Sequence, residues 1–213
     1  ICPMEKLDQQ IANNLLQINA IKFNPANPFR WSSGWKSPIY CDNRKTLSYP
    51  SVRNLIKQAF VDLIKSHYND AEIIAGVATG AIAIGALIAD SLNLPFIYIR
   101  SQAKQHGLEN SIEGDIRKGQ KTVVIEDLIS TGKSSINAVK ALKEKGAVVL
   151  GMAAIFSYGF QLAKTDLEQV HCPLYTLCDY HTLIDTALNK GYLKKEDLQE
   201  LDAWRADPAG WKK

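Results

Sequence analysis

The sequence predicts an α/β protein whose parallel sheet carries helices on both faces, preceded by a small N-terminal element. Two observations lead there. From Glu72 onward, short continuous apolar runs alternate with segments of helical period, the pattern of strands covered on both faces. Between Phe23 and Pro50 the pattern is irregular instead, with Pro25, Pro28, Pro38 and Pro50 among Phe29, Trp31, Trp35 and Tyr40.

Each element follows from its own spacing. Glu5 to Asn19 carries Leu7, Ile11, Leu15 and Ile18 at helical intervals and reads as an amphipathic helix. Ser51 reads as the N-cap of a second helix, in which Val52, Leu55, Ile56, Ala59, Phe60, Leu63 and Ile64 share one face. Glu72 to Val77 is a strand, Ala81 to Ser91 a helix after a Gly-containing turn, and Phe96 to Arg100 a strand. Thr122 to Glu126 is a strand, Ser134 to Lys145 a helix, and Ala147 to Phe156 and Leu174 to Cys178 are the remaining strands. Helical stretches from Thr182 to Asn189 and Lys194 to Ala206 close the chain.

Composition limits the function classes. At roughly 150 residues per domain, 213 residues make one domain, 1–213, which we divide into an N-terminal element (1–50) and a core (51–213). The net charge of +3, with 22% charged and 46% hydrophobic residues, fits a folded globular chain. So small and dispersed a basic excess predicts no nucleic-acid partner. The longest apolar run, Ala78 to Ala89, is about half of what a membrane helix needs, so no membrane partner is expected either. Ile1 to Gln10 carries Glu5, Lys6 and Asp8 without an apolar stretch, which does not read as a signal peptide. Cys2, Cys41, Cys172 and Cys178 form no C-x-x-C pair, and His67, His106, His171 and His181 are scattered. Reduced thiols and a cytoplasmic location are therefore expected, without a structural metal site.

Chemistry concentrates in Thr122 to Ser135, TVVIEDLISTGKSS. An apolar strand ends in Glu126 and Asp127, and a Ser130-Thr131-Gly132-Lys133-Ser134 turn leads into a helix. Backbone N–H groups, hydroxyls and a helix N-terminus are the parts that hold a phosphate monoester. The acids fall beyond the carboxyl end of a parallel strand, where ligands of open α/β sheets bind. Gly132-Lys133-Ser134 imitates the end of a Walker A loop, but that loop needs glycine where Asp127 stands. Two adjacent acids above a phosphate cradle suit a sugar phosphate, with the acids toward its hydroxyls.

A second stretch is out of proportion: about twenty residues, SQAKQHGLENSIEGDIRKGQ, join two strands. Connections of that length are usually functional or mobile, and Gly107 and Gly114 suit a lid. A solvated surface excursion is the plain alternative.

These segments resemble a known family. The strand, two acids and T-G-containing loop are similar to the phosphoribosyl-pyrophosphate (PRPP) motif of type I phosphoribosyltransferases. Arg100 to Gly107, RSQAKQHG, resembles the R-x-x-A-K-x-H-G catalytic loop of orotate phosphoribosyltransferases, and Ser32 to Arg44, SSGWKSPIYCDNR, their N-terminal element. With GVATGAIAIG at Gly76 to Gly85 as the pyrophosphate loop, the likeness runs from about Phe29 to Gly159.

The resemblance implies a type I phosphoribosyltransferase core with an N-terminal hood that binds the base. It implies transfer of the phosphoribosyl group from PRPP to orotate in UMP synthesis, with Mg2+ carried by PRPP and water rather than by direct protein ligands. Arg100, Lys104 and His106 would be catalytic and contact PRPP, alongside Glu126, Asp127, Leu128, Ile129, Ser130, Thr131, Gly132, Lys133 and Ser134. Ser130, Lys36 and Arg44 would face orotate, although surface ion pairing explains either cation as well. A homodimer with shared active sites is also implied.

The chain departs from the pattern at Ser101 and Gly80, where some members carry lysine. An arginine that contacts orotate in some members has no counterpart in AAIFSYGF. A purine phosphoribosyltransferase and a non-catalytic PRPP-binding regulator are the alternatives. The Ser32 to Arg44 element disfavours the first, and Lys104 with His106 disfavours the second.

Overall fold

A computed structural model describes residues 6–31, 34–100 and 111–212. The predicted lid residues Lys104 and His106 thus lie outside the described residues. The core is a six-stranded sheet made of β5 (Ile73–Val77), β6 (Phe96–Ile99), β7 (Ile112–Glu113), β8 (Lys121–Ile129), β9 (Val148–Ser157) and β10 (Leu174–Asp179). Its spatial order is β10-β9-β8-β5-β6-β7, parallel except for β7, which runs antiparallel along β6 at the edge.

Helices cover both faces, which is why the central strands are apolar on both sides. One face packs on α1 (Leu7–Gln17), α2 (Pro50–His67), α3 (Ala81–Leu92), α6 (Tyr180–Asn189) and α7 (Leu198–Ala206). The other packs on α4 (Lys133–Glu144) and α5 (Gln161–Gln169). Strand alternation divides the start of β8 between the layers: Val123 and Ile125 join the first cluster, Val124 the second. Among the described residues, no helix is long and apolar enough to cross a membrane.

The N-terminal element is built from two small antiparallel pairs. β1 (Ile21–Phe23) pairs with β4 (Ile39–Cys41), and β2 (Phe29–Arg30) with β3 (Lys36–Ser37). A 3-10 helix, Asn43–Ser48, then leads toward α2. Trp31 holds this hood down. Its ring meets Tyr158 at 5.1 Å and Trp204 of α7 at 5.8 Å, and Tyr158 and Trp204 both meet Phe160. Aromatic pairs of this kind contribute about 0.5–1.5 kcal/mol each beyond their buried area. They fix the hood over the carboxyl end of β9.

Three expectations are corrected. α2 starts at Pro50 with Tyr49 as N-cap, so Ser51 lies inside the helix; proline suits the first turn because its fixed φ is helical and its missing N–H is not needed there. β8 does not stop at Glu126: its pairing with β9 continues through Leu128 and Ile129, opposite Phe156 and Ser157. A helix absent from the sequence reading, α5, buries only Ala163 and Leu167, too weak a periodic signal to stand out.

Candidate active site

The chain leaves β5 through α3 toward β6, and leaves β8 through α4 toward β9, on the opposite side. The strand order therefore reverses between β5 and β8, and a crevice opens at their carboxyl ends, as in other open α/β sheets. There Thr79 and Gly80 from the β5–α3 turn, Glu126 and Asp127 of β8 and Ser134 of α4 line a cavity of about 340 Å³. Cys41, Asp42 and Arg44 reach it from the hood.

The two acids take different roles because neighbouring strand positions face opposite ways. Glu126 is 4% exposed and accepts a hydrogen bond from the Ser135 hydroxyl at 2.8 Å, on the α4 side. Asp127 is half-buried and turns toward Gly80. A Cβ at Gly80 would lie 2.2 Å from the Asp127 carboxyl carbon, so the space a side chain would fill is taken by the acid. The Asp127 carbonyl accepts from the Asn43 side-chain amide at 2.6 Å, tying the hood to the acid motif.

Burial pushes the Glu126 carboxyl well above the usual carboxylate range, and the neighbouring Asp127 charge pushes it further, with the Ser135 hydrogen bond opposing. Burial also raises Asp127, while a hydrogen bond from Glu126 works the other way. The pair therefore titrates as a unit. Its stable form keeps the proton on Glu126 and the charge on Asp127, the member that faces the cavity. Asp42 is held below the ordinary range by a hydrogen bond from Arg44 at 2.6 Å.

A second cavity, of about 630 Å³, adjoins the first and shares Cys41, Arg44 and Leu128 with it. Trp31, Tyr40, Ser130 and Tyr158 also line it, and Arg30 stands with them. Gly132 has φ +80, a left-handed turn that glycine adopts freely, and it swings the chain from β8 into α4. The backbone of Ser130 to Ser134 is thereby curled at a helix N-terminus, the arrangement that binds anions.

The sequence-predicted residues divide on this geometry. Glu126, Asp127 and Ser134 line the first cavity, Ser130 and Thr131 the second, and Arg44 and Leu128 both. Ile129 is completely buried, with its side chain in the α4–α5 cluster and its carbonyl accepting from the Tyr158 N–H. Lys133 is exposed on the first turn of α4. Lys36 faces neither cavity; it is exposed and lines a separate recess beside Trp211 and Lys212. Arg30, its partner across the β2–β3 pair, lines that recess too and is the one of the two cations that also reaches the second cavity. Arg100 lines neither cavity, and pairs with Glu113 at 3.0 Å where the chain leaves β6. Asn43, Ser135 and Tyr158 are the residues that sequence reasoning missed.

Comparison with known proteins agrees with this architecture. Residues 47–176 match the phosphoribosyl transferase domain, the class of protein that this fold and crevice define. The orotate phosphoribosyltransferase of Bacteroides thetaiotaomicron is 55% identical over 208 residues, covering 98% of each chain. Among solved structures, the Leishmania donovani UMP synthase superposes with a TM-score of 0.79 at 24% identity, over 94% of this chain and 42% of that longer one. The orotate phosphoribosyltransferase of Aeropyrum pernix gives 0.70 at 24% identity, over 82% of this chain and 97% of its own. The chain belongs to the orotate phosphoribosyltransferase family.

Proposed function

We propose that this protein transfers the 5-phosphoribosyl group of PRPP to orotate, releasing pyrophosphate and forming orotidine 5'-phosphate for UMP synthesis. The observation that carries this is the pair of joined cavities, one with acids and the other walled by aromatic rings, with the curled turn from Ser130 to Ser134 contributing to both. The first suits a sugar phosphate and the second a planar base, and they meet where the glycosidic bond would form.

Asp127 accepts hydrogen bonds from the ribose hydroxyls, and its charge favours the cation-like ribose that develops as the bond to pyrophosphate breaks. Glu126, protonated behind it, keeps that charge on the cavity side. The N–H groups from Ser130 to Ser134 hold the 5-phosphate. Lys104 and His106, together with Arg100 released from Glu113, neutralise the departing pyrophosphate. A closed lid excludes the water that would otherwise capture the ribosyl cation.

Among the described residues, no cluster of three or more His, Cys, Asp or Glu forms a cage for a metal ion. Asp42 and Asp127 instead offer oxygen donors at the cavity, which fit Mg2+ arriving on the diphosphate. When bound, Mg2+ supplies neutralisation of the diphosphate charge. Cys41, Cys172 and Cys178 are free thiols, in keeping with a reducing cytoplasm.

Pyrophosphate release measured with orotate, uracil, hypoxanthine and adenine tests the proposal. Release with orotate alone is expected. Release with a purine and none with orotate, or none with any base, overturns it. The proposed homodimer has its own test, because we place the lid of one subunit over the cavity of its partner. Mixing Lys104→Ala with Asp127→Asn protein is then expected to restore part of the activity that each lacks, and no recovery on mixing argues against shared sites.

Gly80→Ala gives a further expected result. Gly80 has ordinary helical φ and ψ, so alanine is tolerated by the backbone. Its methyl group would displace the Asp127 carboxylate, and an offset of about 1 Å at such a position can cost about 10²-fold in rate. We expect loss of that order with the melting temperature preserved. An alanine variant with normal kinetics for PRPP would show that the placement of Asp127 does not matter.

A further inference from the structure

The second cavity has a floor that neither the acid motif nor the lid accounts for. Tyr158 follows β9 and is 1% exposed, yet it lines this cavity. Its ring is gripped on several sides: by Trp31 and Phe156 at 5.1 Å and by Phe160 and Trp204 at 5.6 Å, with Phe160 stacked within 11° of parallel. So confined a ring cannot swing, and its position is set by packing alone.

The hydroxyl is different. It makes no hydrogen bond among the described residues, whose fully buried unpaired side-chain atoms are Arg53 Nε and Trp204 Nε1, so the Tyr158 hydroxyl keeps access to solvent. Burial pushes its ionisation well above the ordinary tyrosine range, and Cys41, Tyr180 and Tyr40 push it the same way. Two of these three, Cys41 and Tyr40, are walls of the same cavity. The hydroxyl thus stays protonated, and the space it can meet is that of the cavity Tyr158 lines. A rigid, neutral donor kept free at the bottom of an aromatic slot is what recognition of a planar ring with an exocyclic oxygen requires. Ser130, Thr131, Tyr40, Arg30 and Arg44 supply further polar groups along its wall.

Resting on the orotate transfer proposed above, we propose that Tyr158 is a base-recognition residue, whose hydroxyl donates a hydrogen bond to a ring carbonyl oxygen of the pyrimidine. It fills the place for which the strand after the acid motif supplies no arginine. Mutual packing with Trp31 couples that contact to the seating of the hood, so the donor is in position before the base enters.

Tyr158→Phe removes the hydroxyl and keeps the ring stack. We expect KM for orotate to rise about fivefold to tenfold, the range of a single neutral hydrogen bond, while kcat and KM for PRPP stay near wild type. Binding of two ligands to the free protein gives a second readout: orotidine 5'-phosphate is expected to weaken by the same factor and ribose 5-phosphate not at all. A melting temperature equal to or above wild type is expected, because the hydroxyl has no partner to lose. Unchanged KM for orotate, or equal weakening of both ligands, overturns the role given to Tyr158. Failure of the wild-type protein to use orotate would instead overturn the proposed reaction, so the two failures are distinguishable.

Discussion

Replacing Lys104 with alanine is expected to lower turnover by about 10²–10³-fold, the usual loss when a preorganised charge at a transition state is removed. Negative charge grows on pyrophosphate as the bond to ribose breaks, and a cation brought by the lid is worth most once water is shut out. The cavity itself contributes acids and neutral donors, with Arg44 already paired to Asp42. The cationic contribution thus falls to the segment holding Lys104 and His106. Steady-state and single-turnover rates measured together check this, alongside a melting curve showing that the fold survives. Near-normal turnover would remove Lys104 from the mechanism.

The second large effect concerns the two acids, which are expected to respond differently. Asp127→Asn removes the charge that faces ribose, and a fall of at least about 10²-fold in kcat/KM for PRPP follows. Glu126→Gln keeps that position neutral, as the buried proton already makes it, and a smaller fall is expected. The stability effects take the opposite order. In the unfolded chain Glu126 ionises near the ordinary value of 4.5, whereas in the folded chain burial and Asp127 hold it protonated well above that. Between those limits the folded state binds the additional proton. Stability from Glu126 is therefore complete below its unfolded value and is lost as pH rises through its folded one. Glutamine cannot ionise, so the variant's melting temperature is expected to gain on wild type as pH rises from about 5 to about 9. A difference that stays flat across that range would falsify the assignment of the proton to Glu126.

Much of the site was legible before any coordinates because its chemistry is local. An apolar strand, two acids, hydroxyls and a glycine turn into a helix are consecutive, so TVVIEDLISTGKSS reads on its own as the sugar-phosphate cradle we propose. The cations were read less well. Lys36 and Arg30 both belong to the hood as partners across β2 and β3, and only the packing of the hood on the core leaves Arg30, not Lys36, on the second cavity. Gly80 is a missing cation in the sequence; in the fold it is the space into which Asp127 turns.

By itself, the sequence determined the class of fold, the order of the core strands and helices apart from β7 and α5, and the acids and hydroxyls of the proposed cradle. Each depends on periodicity or on neighbours within a few residues. Only the tertiary structure decided how these parts meet. Asn43 holds the Asp127 backbone from 84 residues away, and Trp31 of the hood packs on Tyr158 after β9. Strand order alone brings the ends of β5 and β8 together. Such contacts leave no local pattern, because each partner taken singly is an ordinary hood asparagine, glycine or core aromatic. Packing selects which of them faces the ligand.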